Sequence, residues 1–142
     1  MPMVKARSVF SLACLVIHSA APEQAMQLDK IAPPLDSRRL DAEQSSLGYT
    51  YADVGAELAK RWKFPEQFSA GIAGFPDPLA AKPLNRMAAV IHLAAWKARV
   101  DENKLSADEI AACYPSAVAK ALGLADDVLW CFHFRQHNRA HI

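Results

Sequence analysis

Five histidines make up most of the chemical repertoire of this chain, which has no glycine-rich phosphate loop and no GxSxG-type nucleophile setting. His133, His137 and His141 recur at every fourth position in the terminal run Cys131-Phe132-His133-Phe134-Arg135-Gln136-His137-Asn138-Arg139-Ala140-His141. A helix there would put them on one face, a workable spacing for two metal ligands. A stable site also wants further ligands and carboxylates behind them, and the run contains no acidic residue. The alternative is a solvated, mildly basic terminal helix. His92 is the one polar side chain between Met87 and Trp96. A single histidine in such a setting reads as a hydrogen-bonded core residue before it reads as a ligand or base.

Nucleic-acid recognition is the other chemistry to weigh. Ala52-Asp53-Val54-Gly55-Ala56-Glu57-Leu58-Ala59 has some of the look of the first helix of a helix-turn-helix. The helix that would read bases, Pro65 to Ile72, offers Gln67 and no cation. A packed helical hairpin accounts for the pair. The formal charge of +1, from 16 Lys plus Arg against 15 Asp plus Glu, gives no global attraction to nucleic acid or anionic lipid.

The elements that position these residues read as helices with short loops. Thr50 can cap the amide of Asp53, and Tyr51, Val54, Leu58 and Trp62 form an apolar stripe at helical spacing that Pro65 stops. Upstream, Pro22 suits the first turn of a helix over Glu23 to Ile31, and Pro33-Pro34 breaks it. Asp36 can cap a helix over Ser37 to Ser46, ended by Gly48. Pro65 opens a helix over Glu66 to Ile72, and 74–83 is a proline-rich loop. The helix from Leu84 to Val100 is apolar nearly all round and belongs at the centre of the fold. Ser106-Ala107-Asp108-Glu109 is a capping box for a short helix to Cys113. Another opens at Pro115-Ser116 and ends near Gly123, and a terminal helix occupies 125–142. The fold class is therefore all-α, an irregular bundle of about seven to nine helices in a single domain over 1–142.

The first twenty residues have two readings. Lys5 and Arg7, the apolar run Val9 to Ile17, then Ser19-Ala20-Ala21 have the layout of a secretory signal. Pro22 directly after the cleavage position and the smooth passage into helical sequence favour a buried helix instead. Cys14, Cys113 and Cys131 are an odd, scattered set without a CxxC pair, as expected for thiols in a reducing, cytoplasmic compartment. No apolar run approaches the ~18 residues of a membrane span.

Several short segments, taken in order, resemble the later part of an HDOD domain, a bacterial signalling module related to HD-type metal-dependent phosphohydrolases. Pro22-Glu23-Gln24-Ala25 resembles the family's proline-opened helix. Tyr51-Ala52-Asp53-Val54-Gly55-Ala56 is similar to its His-Ala-Glu-Val-Gly-Ala, and Leu58 to Pro65 to its Arg-Trp helix end. Ile91-His92-Leu93-Ala94 resembles its Val-His-Leu-Ala helix, and Gly123-Leu124 a late Gly-Leu. The resemblance covers about 18–124 and implies an HD-like helical fold.

Its departures bear on function. The hydrolytic relatives hold one or two metals with His and Asp, which activate a water. Tyr51 stands where many members carry histidine, Gly74-Phe75-Pro76 where many have a His-rich turn, and Ala95 where an aspartate often follows. There is no His-Asp pair in the chain. His92 alone cannot hold a hydrolytic metal, which needs about three protein ligands. The resemblance thus implies a non-catalytic regulatory module with no cofactor, working through a protein partner and touching neither nucleic acid nor membrane. The alternative is a divergent metal-dependent phosphohydrolase using His92, His133 or His137. A complete domain of the family has several more helices before Pro22. Their lack implies an uncovered apolar face, hence a homo-oligomer or the packing of Val9 to Ile17 into the gap.

Overall fold

The computed structural model describes residues 2–34 and 36–124, with side chains from Phe10 onward. Eight helices and no strand occur among the described residues: α1 (Pro2–Ala20), α2 (Pro22–Ile31), α3 (Arg39–Leu47), α4 (Tyr51–Arg61), α5 (Glu66–Gly74), α6 (Arg86–Asn103), α7 (Ala107–Cys113) and α8 (Ser116–Ala121). The expected class and helix number hold. The expected terminal helix, with Cys131, His133, Phe134, His137 and His141, lies outside the described residues.

Local chemistry sets the boundaries. Thr50 Oγ1 accepts from Asp53 N, and Asp53 Oδ2 accepts in turn from Thr50 N, closing a capping box at the start of α4. Ser106 and Glu109 build the same reciprocal pair for α7. Asn85 Oδ1 caps α6 by accepting from Ala88 N, so that helix starts two residues later than the expected Leu84 and runs on to Asn103. Gly48 closes α3 in the left-handed region at φ 77°, where a side chain would be strained. Lys63 takes the same role after α4 at φ 56°. Phe64 N donates to Ala59 O and Lys63 N to Lys60 O, the hydrogen-bond pair of a Schellman ending.

Two expectations are corrected. Asp36 does not cap α3. Its Oδ1 accepts from Arg38 N, and its carboxylate is forked by the Arg38 guanidinium at 2.8 and 3.1 Å, so the chain turns here and the helix opens at Arg39. The apolar stripe of α4 is not its buried face. Val54 and Leu58 are half-buried and Trp62 is 47% exposed, whereas Ala52, Gly55, Ala56 and Ala59 are buried with Tyr51. The buried face is turned by about 100° from the stripe, one residue's step around the helix. Small residues win because α4 is wedged between α1 and α5, where close backbone approach leaves no room for Leu or Trp.

Three apolar clusters hold the helices together, and α6 contributes to all of them. Ile91 joins the main core with Ala13, Ile17, Ala25, Tyr51, Ala52, Ala56, Ala59, Ile72 and Phe75. Ala89 and Leu93 pack on Val118 and Ala119 of α8. Trp96 and Val100 pack on Ile110 of α7. The central placement expected of this helix is what the chain adopts. Within Val9 to Ile17, Ala13 and Ile17 are fully buried and Phe10 and Cys14 pack beside them, so α1 is part of the core.

Replacing Thr50 by Ala removes one arm of the α4 box and should lower unfolding free energy by about 1 kcal/mol in urea titration. Lys63→Gly should raise it, since glycine adopts the left-handed turn without steric cost.

Candidate functional site

The residues that the family resemblance equates with metal ligands converge at one place, and rings occupy it. Tyr51 is the first residue of α4, Phe75 follows the end of α5, and Ala95 lies on α6 against the same cluster. Tyr51 and Phe75 have ring centroids 6.1 Å apart. Phe10 of α1 completes the group, edge-on to Tyr51 at 5.5 Å and tilted against Phe75 at 4.8 Å. Phe75 is buried. Three aromatic rings in these geometries add about 0.5–1.5 kcal/mol per pair beyond the area they bury.

His92 borders the cluster and is half-buried. Its Nδ1–H donates to the Phe75 carbonyl at 2.8 Å, satisfying an acceptor at the open C-terminal end of α5. That is the hydrogen-bonded core role expected of it, and it commits one ring nitrogen. Burial raises the Tyr51 phenol well above its ordinary range, with the nearby Cys14 and Glu43 adding to the shift, so no phenolate is available as a ligand. Among the described residues no three His, Cys, Asp or Glu side chains come together as a metal-binding group. The donor set here does not fit a hydrolytic metal, which takes about three protein ligands. His133 and His137 fall outside the described residues.

A second constellation escaped the sequence reading. Arg39, at the start of α3, is 0% exposed, and so is Glu43 one turn later. Arg39 Nε donates to Glu43 Oε1 at 2.6 Å, and its Nη1 donates to Asp29 Oδ1 at 2.6 Å and to Ala32 O at 3.0 Å. Glu43 Oε2 accepts from Tyr51 N at 2.6 Å, and His18 Nε2 meets Asp29 Oδ2 at 3.1 Å. The chain of contacts runs from half-exposed His18 and Asp29 to the buried amide that starts α4. Burial works against the Arg39 charge, but the hydrogen bonds to Glu43 and Asp29 outweigh it and hold the guanidinium above its usual pKa. In sequence, Arg39 and Glu43 look like an ordinary exposed pair four apart on a polar helix. The signal that could have found them is Pro33-Pro34, which folds the chain so sharply that α3 must return against the end of α2.

Cys14 and Cys113 are free thiols. Cys14 lies beside the ion network, and burial, reinforced by Glu43, pushes its thiol up to about 11. Cys113 is exposed, with its sulfur accepting from Trp96 Nε1 at 3.2 Å.

Comparison with known proteins agrees with this architecture. Residues 11–78 match the HDOD domain, so the match opens inside α1 and includes Tyr51 and Phe75. The fold is similar to the crystal structure of a "putative phosphohydrolase" from Shewanella amazonensis SB2B, with a TM-score of 0.64 and 24% identity over 87% of this chain. The chain spans 45% of that protein's length. No curated protein matches the sequence.

Removing one partner from the buried network should be costly. Arg39→Met alone leaves Glu43 buried without its cation and should lose about 3–5 kcal/mol in urea denaturation, while Arg39→Met with Glu43→Leu should recover much of it. In a Cys131→Ser variant at pH 8, Cys113 should react quickly with a disulfide reagent and Cys14 only on unfolding, because a buried thiol with a pKa of about 11 holds almost no thiolate there.

Proposed function

We propose that this chain, which carries an HDOD domain match over residues 11–78, is a non-catalytic regulatory module of bacterial signalling that acts by protein–protein contact in the cytoplasm. The observation that carries the reading is the occupancy of the ligand positions. Tyr51 and Phe75 stand where the resemblance expects imidazoles, with Phe10 packed against both rings, and Ala95 offers no donor where it expects a carboxylate. Activating a water for attack on phosphorus needs a cation held by anionic or imidazole ligands. Aromatic rings packed on one another supply neither.

The free thiols support a reducing compartment. No helix among the described residues is long and apolar enough to cross a membrane. The near-zero net charge gives no reason to expect binding to DNA or RNA. Protein contact is the role left to a helical scaffold of this kind. Its HD-like relatives provide the alternative, a divergent phosphohydrolase working through His92, His133 or His137.

Metal analysis and turnover decide between the two. Purified protein should carry Mn, Fe, Ni and Zn at far below one equivalent, and added Mn should give no hydrolysis of bis(p-nitrophenyl) phosphate or a cyclic dinucleotide above buffer. Near-stoichiometric metal that is lost in His92→Ala or in His133→Ala/His137→Ala, or turnover that depends on those residues, would replace the regulatory reading with the phosphohydrolase.

A further inference from the structure

One cation on α6 is left without a counter-charge. Among the described residues, Arg39, Lys97 and Arg99 are the Lys and Arg side chains that are not exposed. Arg39 is held by Glu43 and Asp29, and Lys97 by Asp101. Arg99 is half-buried and makes neither a hydrogen bond nor an ion pair. A guanidinium partly withdrawn from water gains most from an oxyanion, whose oxygens its N–H groups meet two at a time.

The groups around Arg99 indicate which oxyanion. Arg99 lies one turn beyond Ala95, the α6 residue packed against the aromatic cluster, and so stands on the same side of the helix. Its charge is felt on two other elements. It adds to the hold of Arg38 on the Asp36 carboxyl, which falls to about 2, and it opposes the burial that raises the Tyr51 phenol. Asp36 does not pair with Arg99, because both of its carboxylate oxygens are taken by the Arg38 guanidinium, at 2.8 and 3.1 Å. The Tyr51 hydroxyl makes no hydrogen bond among the described residues and is not sealed from water. Burial keeps it protonated, which makes it a donor. Two guanidinium groups and a phenol O–H therefore lie within electrostatic reach of one carboxylate that is already engaged. A carboxylate ligand has two oxygens, and the Arg99 fork would use both. A phosphoryl group has a third, which can accept from Tyr51, and a second negative charge to set against Arg38.

We propose that Arg99 and the Tyr51 hydroxyl bind the phosphoryl group of a small molecule, without a metal, at the edge of the aromatic cluster. Arg99 supplies the fork, Tyr51 a single O–H, and Arg38 adds charge from the turn before α3. The contact is non-covalent. It holds whether the chain regulates or hydrolyses, since it needs neither a metal nor turnover.

Phosphorus NMR and thermal melting of the full chain in EDTA test the proposal, with inorganic phosphate as the probe and acetate at matched ionic strength as the control. Phosphate should bind saturably with a Kd of about 1 mM or below and raise the melting temperature as it does so. Acetate should do neither. Arg99→Gln should weaken phosphate binding about tenfold or more without lowering the melting temperature of the phosphate-free protein, because no native bond is lost. Tyr51→Phe keeps the ring and should weaken binding severalfold. Arg61→Gln, at the exposed end of α4, should leave binding unchanged. The absence of saturable binding by ~20 mM phosphate would overturn the proposal. So would an equal response to acetate, or binding indifferent to Arg99→Gln or to Tyr51→Phe.

Discussion

The arrangement of the first four helices depends on one buried cation. Arg39 has no exposed surface, and a guanidinium in that position is tolerated only when it is paired and hydrogen-bonded. Its partners come from three different places: the Asp29 side chain of α2, the Ala32 carbonyl just after α2, and Glu43 of its own helix. Glu43 passes the constraint to α4 by accepting from Tyr51 N, and Asp29 passes it to α1 through His18. Parting α2 from α3 would take Asp29 from the buried Arg39, and moving α4 would take a hydrogen bond from the buried Glu43. Directional bonds of this kind tolerate sliding less well than apolar contacts do.

The aromatic cluster inherits its position from that network. Tyr51 is the residue whose amide Glu43 holds, so the start of α4, and with it the Tyr51 ring, is fixed from the charged side. Phe75 is fixed from the other side by His92, which bonds its carbonyl. Phe10 then fills the space between the rings. The polar network and the apolar cluster divide the work. One sets where helices begin and end, and the other supplies burial between them.

What the sequence made legible follows the same division. Capping is local chemistry, so Thr50 with Asp53, Ser106 with Glu109 and the glycine at 48 could be read from neighbouring residues. The surroundings of His92 were readable because an apolar helix on every side leaves a histidine few partners. Direction was not readable. Arg39 and Glu43 look solvated until the turn at Pro33-Pro34 brings α3 back onto α2, and nothing within α3 records that. On α4, the large residues Leu58 and Trp62 suggested a face that the fold leaves only partly buried, because wedging between two helices rewards alanine and glycine over bulk. Asp36 was read as a helix cap, and Arg38 claims its carboxylate before the helix can. Phe10 was the residue of the cluster that sequence did not assign, as its contacts are made across long separations in the chain.

Under the regulatory reading, the separation of the two systems lets a fold of this type keep its shape with no metal to organise it. Ligating side chains clustered in a core stand at odds with stability, because they hold charge and polarity where burial favours apolar groups. In this chain the bonds that orient the helices run through Arg39, Glu43 and Asp29, none of which occupies a ligand position. Under the regulatory reading, the Tyr51 and Phe75 rings and Ala95 are then free to serve packing alone, with the rings set against one another at 4.8 to 6.1 Å. Under the regulatory reading, selection then acts on the outside of the scaffold. Among the described residues, large apolar side chains are exposed on α1 and α2 and at Trp62, Leu79 and Val90, positions whose composition the buried core does not dictate.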